Sequence, residues 1–245
     1  MAAANLGVVL LALDTATTVT SVALLRQRTV VDERVESQAS AGEVCVALVD
    51  AMFADGGWRR SDLTLVAVGV GPGPYTSTRV GLAIARGVGL GLDIPVVGIC
   101  SHDAIAAQYV AMGKAGGDFI VVTDARRREV YWALYDASGR RKRGPEVGKP
   151  QAVVAEHPEV SAYVGNGFER YPDLPEAEFY PPSARWIGEL ALRELERGSQ
   201  IPDSAHAVVD HVESGSALVS PEQVVFAPHP LYIRRPDAVE PVIKK

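Results

Sequence analysis

The sequence predicts a mixed α/β protein built in two lobes. Three observations carry that prediction. Short apolar runs of strand length recur with helix-like stretches between them. A glycine- and proline-rich segment, Val70 to Gly81, joins one such run to a stretch that is almost wholly apolar or small. An apolar hairpin pattern at residues 8–25 returns faintly at 119–135, a hint of duplication. The chain has 245 residues, enough for one large domain or two modest lobes.

Taken in order, residues 8–13 and 19–25 read as two strands joined by the polar turn Asp14-Thr15-Ala16-Thr17-Thr18, with 29–35 as a third, outer strand. Ser40, with Glu43 three residues on, reads as a capping box opening a helix that runs to about 54 and stops at Gly56-Gly57. A buried strand at 63–68, the glycine-proline loop, a helix at 80–92 and a strand at 96–99 follow. Ser101 is placed as the cap of a third helix reaching about 112. A seam at 114–117 divides the chain into a first lobe, 1–114, and a smaller second lobe, 115–245. In the second, strands at 119–123 and 130–135 flank the turn Asp124 to Glu129, and 162–164 is a short strand. Residues 183–196 form an amphipathic helix bearing Trp186, Ile187, Leu190, Leu192 and Leu195. The proline-rich pieces at 181–182 and 228–236 read as ordered loops or arms, and about the last 35 residues are expected to pack back on the first lobe.

Composition narrows the function. There are 24 basic and 30 acidic side chains and a net charge of −6, which argues against a surface devoted to nucleic acid but allows a local basic patch. Cys45 and Cys100 stand far apart without a CxxC pairing, so a reducing cytoplasm is expected. No basic residue precedes residue 6, so no secretory leader is expected; Asp14, Arg86 and Asp93 interrupt every candidate membrane span.

The glycine-proline loop has the form of an anion site, because free backbone N–H groups gather at a helix start and Gly71 and Gly73 allow close approach. It lacks the lysine of a P-loop and the glycine spacing of a dinucleotide fold. The five histidines are scattered, with no metal-ligand spacing. Ser101, His102 and Asp103 are adjacent, so they cannot meet face to face as a triad, and no GxSxG elbow is present. Two helices carry a stronger signal. Val44, Leu48 and Met52 on the first, and Gly81, Leu82, Ala85, Val88 and Gly89 on the second, leave both apolar on nearly every side, which predicts a partner interface built as a four-helix bundle. Arg126, Arg127 and Arg128 in one turn, with Arg140, Arg141 and Arg143 shortly after, form either a phosphate-contacting patch or a solvated charged hairpin.

Four stretches together resemble the TsaB family, the dimerisation subunit of the bacterial tRNA threonylcarbamoyladenosine machinery. They are Leu11 to Thr17, Val70 to Gly81, Asp124 to Ala133, and Pro230-Leu231-Tyr232-Ile233-Arg234-Arg235. Ser77 stands where that family commonly has glycine. The resemblance implies an actin-like ATPase (ASKHA) fold of two lobes, each a mixed sheet flanked by helices, the second reduced. It implies a non-catalytic scaffold that pairs with the catalytic paralogue TsaD, helps recruit the ATPase TsaE, dimerises with itself when alone, and meets tRNA only through the complex. In actin-like ATPases an acid at the place of Asp14 holds metal near phosphates, with hydroxyls such as that of Thr15 nearby. The plainer reading is that Asp14 caps its turn with Asx-type bonds. Asp14, Thr15, Gly71 and Gly73 would then mark a vestigial nucleotide site, with no cofactor and weak or no ATP binding. Gly165-Asn166-Gly167 is either an adenosine loop or a type I′ turn. The alternative reading is a catalytically active, actin-like ATP-dependent kinase or carbamoyltransferase.

Overall fold

A computed structural model describes residues 7–37, 41–199 and 223–233. The expected cap at Ser40, the N-terminal five residues and Arg234-Arg235 lie outside them. The first lobe opens with β1 (Val9–Asp14), β2 (Val19–Arg26), β3 (Thr29–Ser37) and α1 (Ala41–Gly56), followed by a 3-10 turn at Arg60–Asp62. It continues with β4 (Leu65–Gly69), α2 (Tyr75–Leu92), β5 (Val96–Ile99) and α3 (Ser101–Ala111). The second lobe holds β6 (Phe119–Asp124), β7 (Val130–Tyr135), β8 (Arg141–Gly148), α4 (Pro150–Glu156), β9 (Ala162–Val164) and β10 (Ala177–Glu178). Then come α5 (Ala184–Glu196) and β11 (Val225–Phe226).

The sheets share one plan. The first runs β11-β5-β4-β1-β2-β3 and the second β10-β9-β6-β7-β8. In each, the first two strands form an antiparallel hairpin, the third pairs antiparallel with the second, and the fourth returns parallel to the first. The duplication hinted at by the hairpin pattern is therefore topological. It is the two-lobed actin-like arrangement.

β1 is buried along its whole length because both faces of the first sheet are covered. Val9, Leu11 and Leu13 pack with α1 and α2; Leu10 and Ala12 pack with α5. α5 presents Ala184, Ile187, Gly188 and Ala191, one helical stripe, to the sheet, and Gly188 sits against the side chains of Leu10 and Leu25. This helix was expected in the second lobe, yet it covers the first, so the chain crosses back before residue 184. β11 then adds an antiparallel edge to β5, and Leu231 N–H donates to the Val70 carbonyl at 2.8 Å.

Three local expectations need correction. α2 starts at Tyr75, five residues before residue 80, because Pro74 disfavours helix at Gly73 and its own carbonyl takes the Thr78 N–H at 3.1 Å. Cys100, not Ser101, occupies the cap position of α3, and the Ser101 hydroxyl is committed elsewhere. Gly165-Asn166-Gly167 is no hairpin turn: β9 and β10 on either side of it run parallel. Among the described residues, no helix is long and apolar enough to cross a membrane.

Candidate functional site: a cleft between two hairpin turns

The first strands of both sheets end in aspartate, Asp14 and Asp124. Each folds the same Asx turn: Ala16 N–H donates to Asp14 Oδ1 and Arg126 N–H to Asp124 Oδ1, both at 2.8 Å. The two turns face one cleft, lined by Ala16, Thr17, Thr18 and Pro74 from the first lobe and by Thr123, Asp124, Arg126 and Asn166 from the second. It encloses about 30 Å³, room for a few water molecules at most.

Asp14 is fully buried, and its Oδ2 accepts the Ser101 hydroxyl at 2.5 Å. Burial pushes its carboxyl up to about 6, opposed by the hydrogen bonds from Ser101 and Ala16. Thr15 is also buried, and its hydroxyl is spent inside the chain, donating to the Ser77 carbonyl at 2.6 Å and accepting the Gly81 N–H at 3.1 Å. These bonds pin the hairpin turn to α2. Gly71 is buried at φ +98, with its carbonyl accepting the Ser101 N–H at 2.8 Å. Gly73 lies against the Ala16 carbonyl so closely that a Cβ there would stand 2.0 Å from the oxygen. The four residues expected at a nucleotide site are thus brought together, but their groups answer one another. The Ala16 carbonyl oxygen faces the loop, and each Asp14 oxygen accepts one hydrogen bond from within the chain. Among the described residues, no three of His, Cys, Asp and Glu converge as metal ligands.

Ser101, His102 and Asp103 form no nucleophile relay, because their side chains diverge. Ser101 reaches Asp14; His102 Nε2 lies 2.8 Å from Thr123 Oγ1 on β6; Asp103 Oδ1 accepts the Tyr135 hydroxyl at 2.6 Å and pairs with Arg141 Nε at 3.3 Å. All three are buried and tie the start of α3 to both sheets. Burial, helped by the nearby Arg141 charge, lowers His102 to about 3, so it stays neutral. Single-sequence reasoning had no signal for this hub beyond the polar triplet itself, since the partners lie at the ends of distant strands.

The predicted interface divides. Met52, Gly81, Leu82, Ala85 and Gly89 face the chain's own core. Gly81 and Gly89 are small because α2 lies close on the sheet: a Cβ would stand 2.5 Å from Thr15 Oγ1 and 2.2 Å from Val96 Cγ2 respectively. Val44, Leu48 and Val88 are half-buried. The outward face is instead Val46, 47 % exposed, and Leu90, 62 % exposed, with Ala47, Ala83 and Gly87.

The arginine clusters do not merge. They sit at opposite ends of the six-residue β7, about 20 Å apart. Arg126, Arg127 and Arg128 are exposed, all three with left-handed backbone (φ +62, +56 and +62). Arg140 is exposed and paired with Asp136, and Arg143 is exposed, paired with Glu146 and stacked on Trp132. Arg141 is only 4 % exposed, which removes it from any surface patch.

A model of the family described as TsaD: tRNA N6-adenosine threonylcarbamoyltransferase matches residues 29–190. An uncharacterised protein of Mycobacterium tuberculosis is 37 % identical over 238 residues, covering 93 % of this chain and 92 % of that one. YeaZ from Pseudomonas aeruginosa superposes with a TM-score of 0.65 at 26 % identity, over 78 % of this chain and 93 % of that one. A second solved structure, an uncharacterised protein with similarity to peptidase YeaZ from the same organism, gives 0.69 at 25 %, over 93 % and 100 %.

Proposed function

The chain belongs to the TsaD (tRNA N6-adenosine threonylcarbamoyltransferase) family and is TsaB-like within it, and on that premise we propose that it is a non-catalytic subunit of the machinery that places the threonylcarbamoyl group on tRNA adenosine. The observation that carries this reading is the closure of the cleft. Thr15, Asp14 and Gly73 are engaged by contacts within the chain, and the cleft between the two hairpin turns encloses about 30 Å³. A subunit of this kind needs a partner that does the chemistry. The outward face of α1 and α2, with Val46 and Leu90 exposed, is suited to a catalytic paralogue or, in its absence, a second copy of this chain. A standard interface of roughly 1,600 Å² in total would take both helices. The exposed Arg126–Arg128 turn holds strained backbone and positive charge together, which fits a contact with the phosphates of tRNA in the assembled complex. Recruitment of the ATPase TsaE and a cytoplasmic location complete the reading.

The test is reconstitution with the catalytic paralogue, reading modified adenosine by mass spectrometry of the tRNA nucleosides. Modification should require this chain, survive Asp14→Asn, and fail with Val46→Glu/Leu90→Glu, whose products remain folded but elute as separate subunits. Magnesium-ATP turnover by this chain alone, abolished by Asp14→Asn, would transfer the assignment to an active kinase or carbamoyltransferase.

A further inference from the structure

A ligand-sized cavity lies outside the cleft, among the described residues. It lies between the start of α3, the β7–β8 turn, the C-terminal half of α5 and Val224, and measures about 460 Å³. Small-molecule sites run from about 300 to 1,000 Å³. Among the described residues its walls carry Arg140, Arg141, Arg193 and Arg197 against Asp103 and Glu194. Such a local excess of positive charge, in a chain of net charge −6, marks a place where an anion is favoured.

The four guanidinium groups differ in what holds them. Arg141 is buried and fixed: Nη1 donates to the Gly144 carbonyl at 3.1 Å, Nη2 to the Gln223 carbonyl at 2.5 Å, and Nε faces Asp103 at 3.3 Å without a well-aligned hydrogen bond. Arg140 and Arg197 reach neighbouring carboxylates, Asp136 at 3.2 Å and Glu194 at 2.7 Å. Arg193 is half-buried, and its guanidinium makes no hydrogen bond or ion pair among the described residues. Arg193 in the last turn of α5 and Arg197 at its C-cap, four residues on, both line the cavity. Leu190, one turn earlier, and Val224 supply an apolar wall beside them.

We propose that this cavity binds a small organic phosphate, with Arg193 and Arg197 clasping the phosphate and Leu190 and Val224 covering the organic part. A guanidinium fork matches phosphate oxygens two at a time, which a lone lysine cannot do. Arg141 holds the wall in place through Asp103 and Gly144. The site places Arg140 and Arg141, read from sequence as part of either a phosphate-contacting patch or a solvated charged hairpin, at a concavity suited to a small molecule.

Isothermal titration of the full chain with ribose 5-phosphate and with AMP should show saturable binding, stronger than that of inorganic phosphate. Citrate, a carboxylate anion of similar charge, should bind more weakly. Arg193→Gln should weaken phosphate binding about tenfold, the effect of losing one charge-assisted contact, without moving the unfolding midpoint, since that side chain makes no hydrogen bond or ion pair among the described residues. Arg193→Lys, which keeps charge but not the fork, should fall between, and Leu190→Ala should erase the preference for organic over inorganic phosphate. The proposal is overturned if no phosphate binds at millimolar concentration, if citrate binds as well as the phosphates, or if Arg193→Gln leaves affinity unchanged. It is equally overturned if only intact tRNA binds in an Arg193-dependent way, for then the groove reads polynucleotide.

Discussion

The two hairpin turns of this molecule each start from an aspartate and end in different surroundings. Both follow the first strand of a sheet, both are built on an aspartate that accepts its own i+2 N–H at 2.8 Å, and both meet a glycine-containing loop arriving from the fourth strand. In the first lobe the turn is sealed. Asp14 and Thr15 are buried, Gly73 presses on Ala16, and α2 is bonded to the turn. In the second lobe Gly165 presses on the Val122 carbonyl just as closely, 2.1 Å from a Cβ built there, but the turn beyond it opens into three exposed arginines with left-handed backbone. The shared Asx bond therefore does not fix the rest of the turn: beyond the aspartate the first turn is buried against α2, and the second carries three exposed arginines with left-handed backbone.

The largest expected effect tests the bond between the hub and the second turn. Folded His102 holds its proton only below about 3, against an ordinary value of 6.5, so between these values the unfolded chain binds more protons and stability falls as pH falls. The loss across that window is about 5 kcal/mol. Denaturant unfolding from pH 7 to pH 3 should show this slope in the wild type and lose it in His102→Gln. An unchanged slope would mean that burial does not hold His102 neutral.

Next in size are the two close approaches. Gly73→Ala must displace the Ala16 backbone, and Gly165→Ala must displace Val122 while holding φ +115. Each should cost about 3 kcal/mol, read as a lowered urea midpoint. A harmless Gly73→Ala beside a damaging Gly165→Ala would show that the first cleft can open, and would undo the claim that it is sealed.

Asp14 carries a slope of the opposite sign. Its folded value of about 6 exceeds the ordinary 3.8, so its contribution is fully present below 3.8 and lost as pH rises through 6, a change of about 3 kcal/mol. Subtracting the unfolding free energies of Asp14→Asn from those of the wild type should isolate that fall. A flat difference would mean that water reaches the carboxylate.

The smallest effect belongs to the exposed turn. Arg128→Gly should relieve a left-handed backbone worth about 1 kcal/mol and raise the unfolding midpoint slightly. In the reconstituted complex the same change should weaken tRNA binding and flatten its salt dependence by roughly 0.7 to 0.9 in log–log slope. A stabilised variant with unaltered tRNA binding would leave the second turn a solvated loop.

Where local pattern decides structure, the sequence was readable. The runs at 96–99, 130–135 and 162–164 match β5, β7 and β9 residue for residue, because each is a short apolar or aromatic stretch bounded by turn residues. β8 was missed because Arg141-Lys142-Arg143-Gly144-Pro145 carries charge and breakers; its ladder comes from β7, a non-local fact. α4 did leave a local trace, Pro150 at its first position, that went unused. The cleft residues Asp14, Thr15, Gly71 and Gly73 were found as a group, but not the direction in which their bonds run. Part of the interface stripe, Gly81, Ala85 and Gly89, faces the chain's own sheet; small residues on a helix mark close packing against either a partner or the chain's own sheet, and spacing alone does not tell the two apart. The Arg141–Asp103 pair and the cavity behind it join residues 38 positions apart, and only the folded chain reveals them.

Three consecutive residues of α3 project about 100° apart around the helix axis, and here each direction ends on a different strand end. The mechanical result is a spline: turning one lobe against the other would shear the Asp14, Thr123 and Tyr135 contacts together rather than in sequence. Amide hydrogens of β1 and β6 should therefore exchange with one shared opening free energy, as a single cooperative unit across both sheets. The start of α3 thus works as a lock between the two sheets.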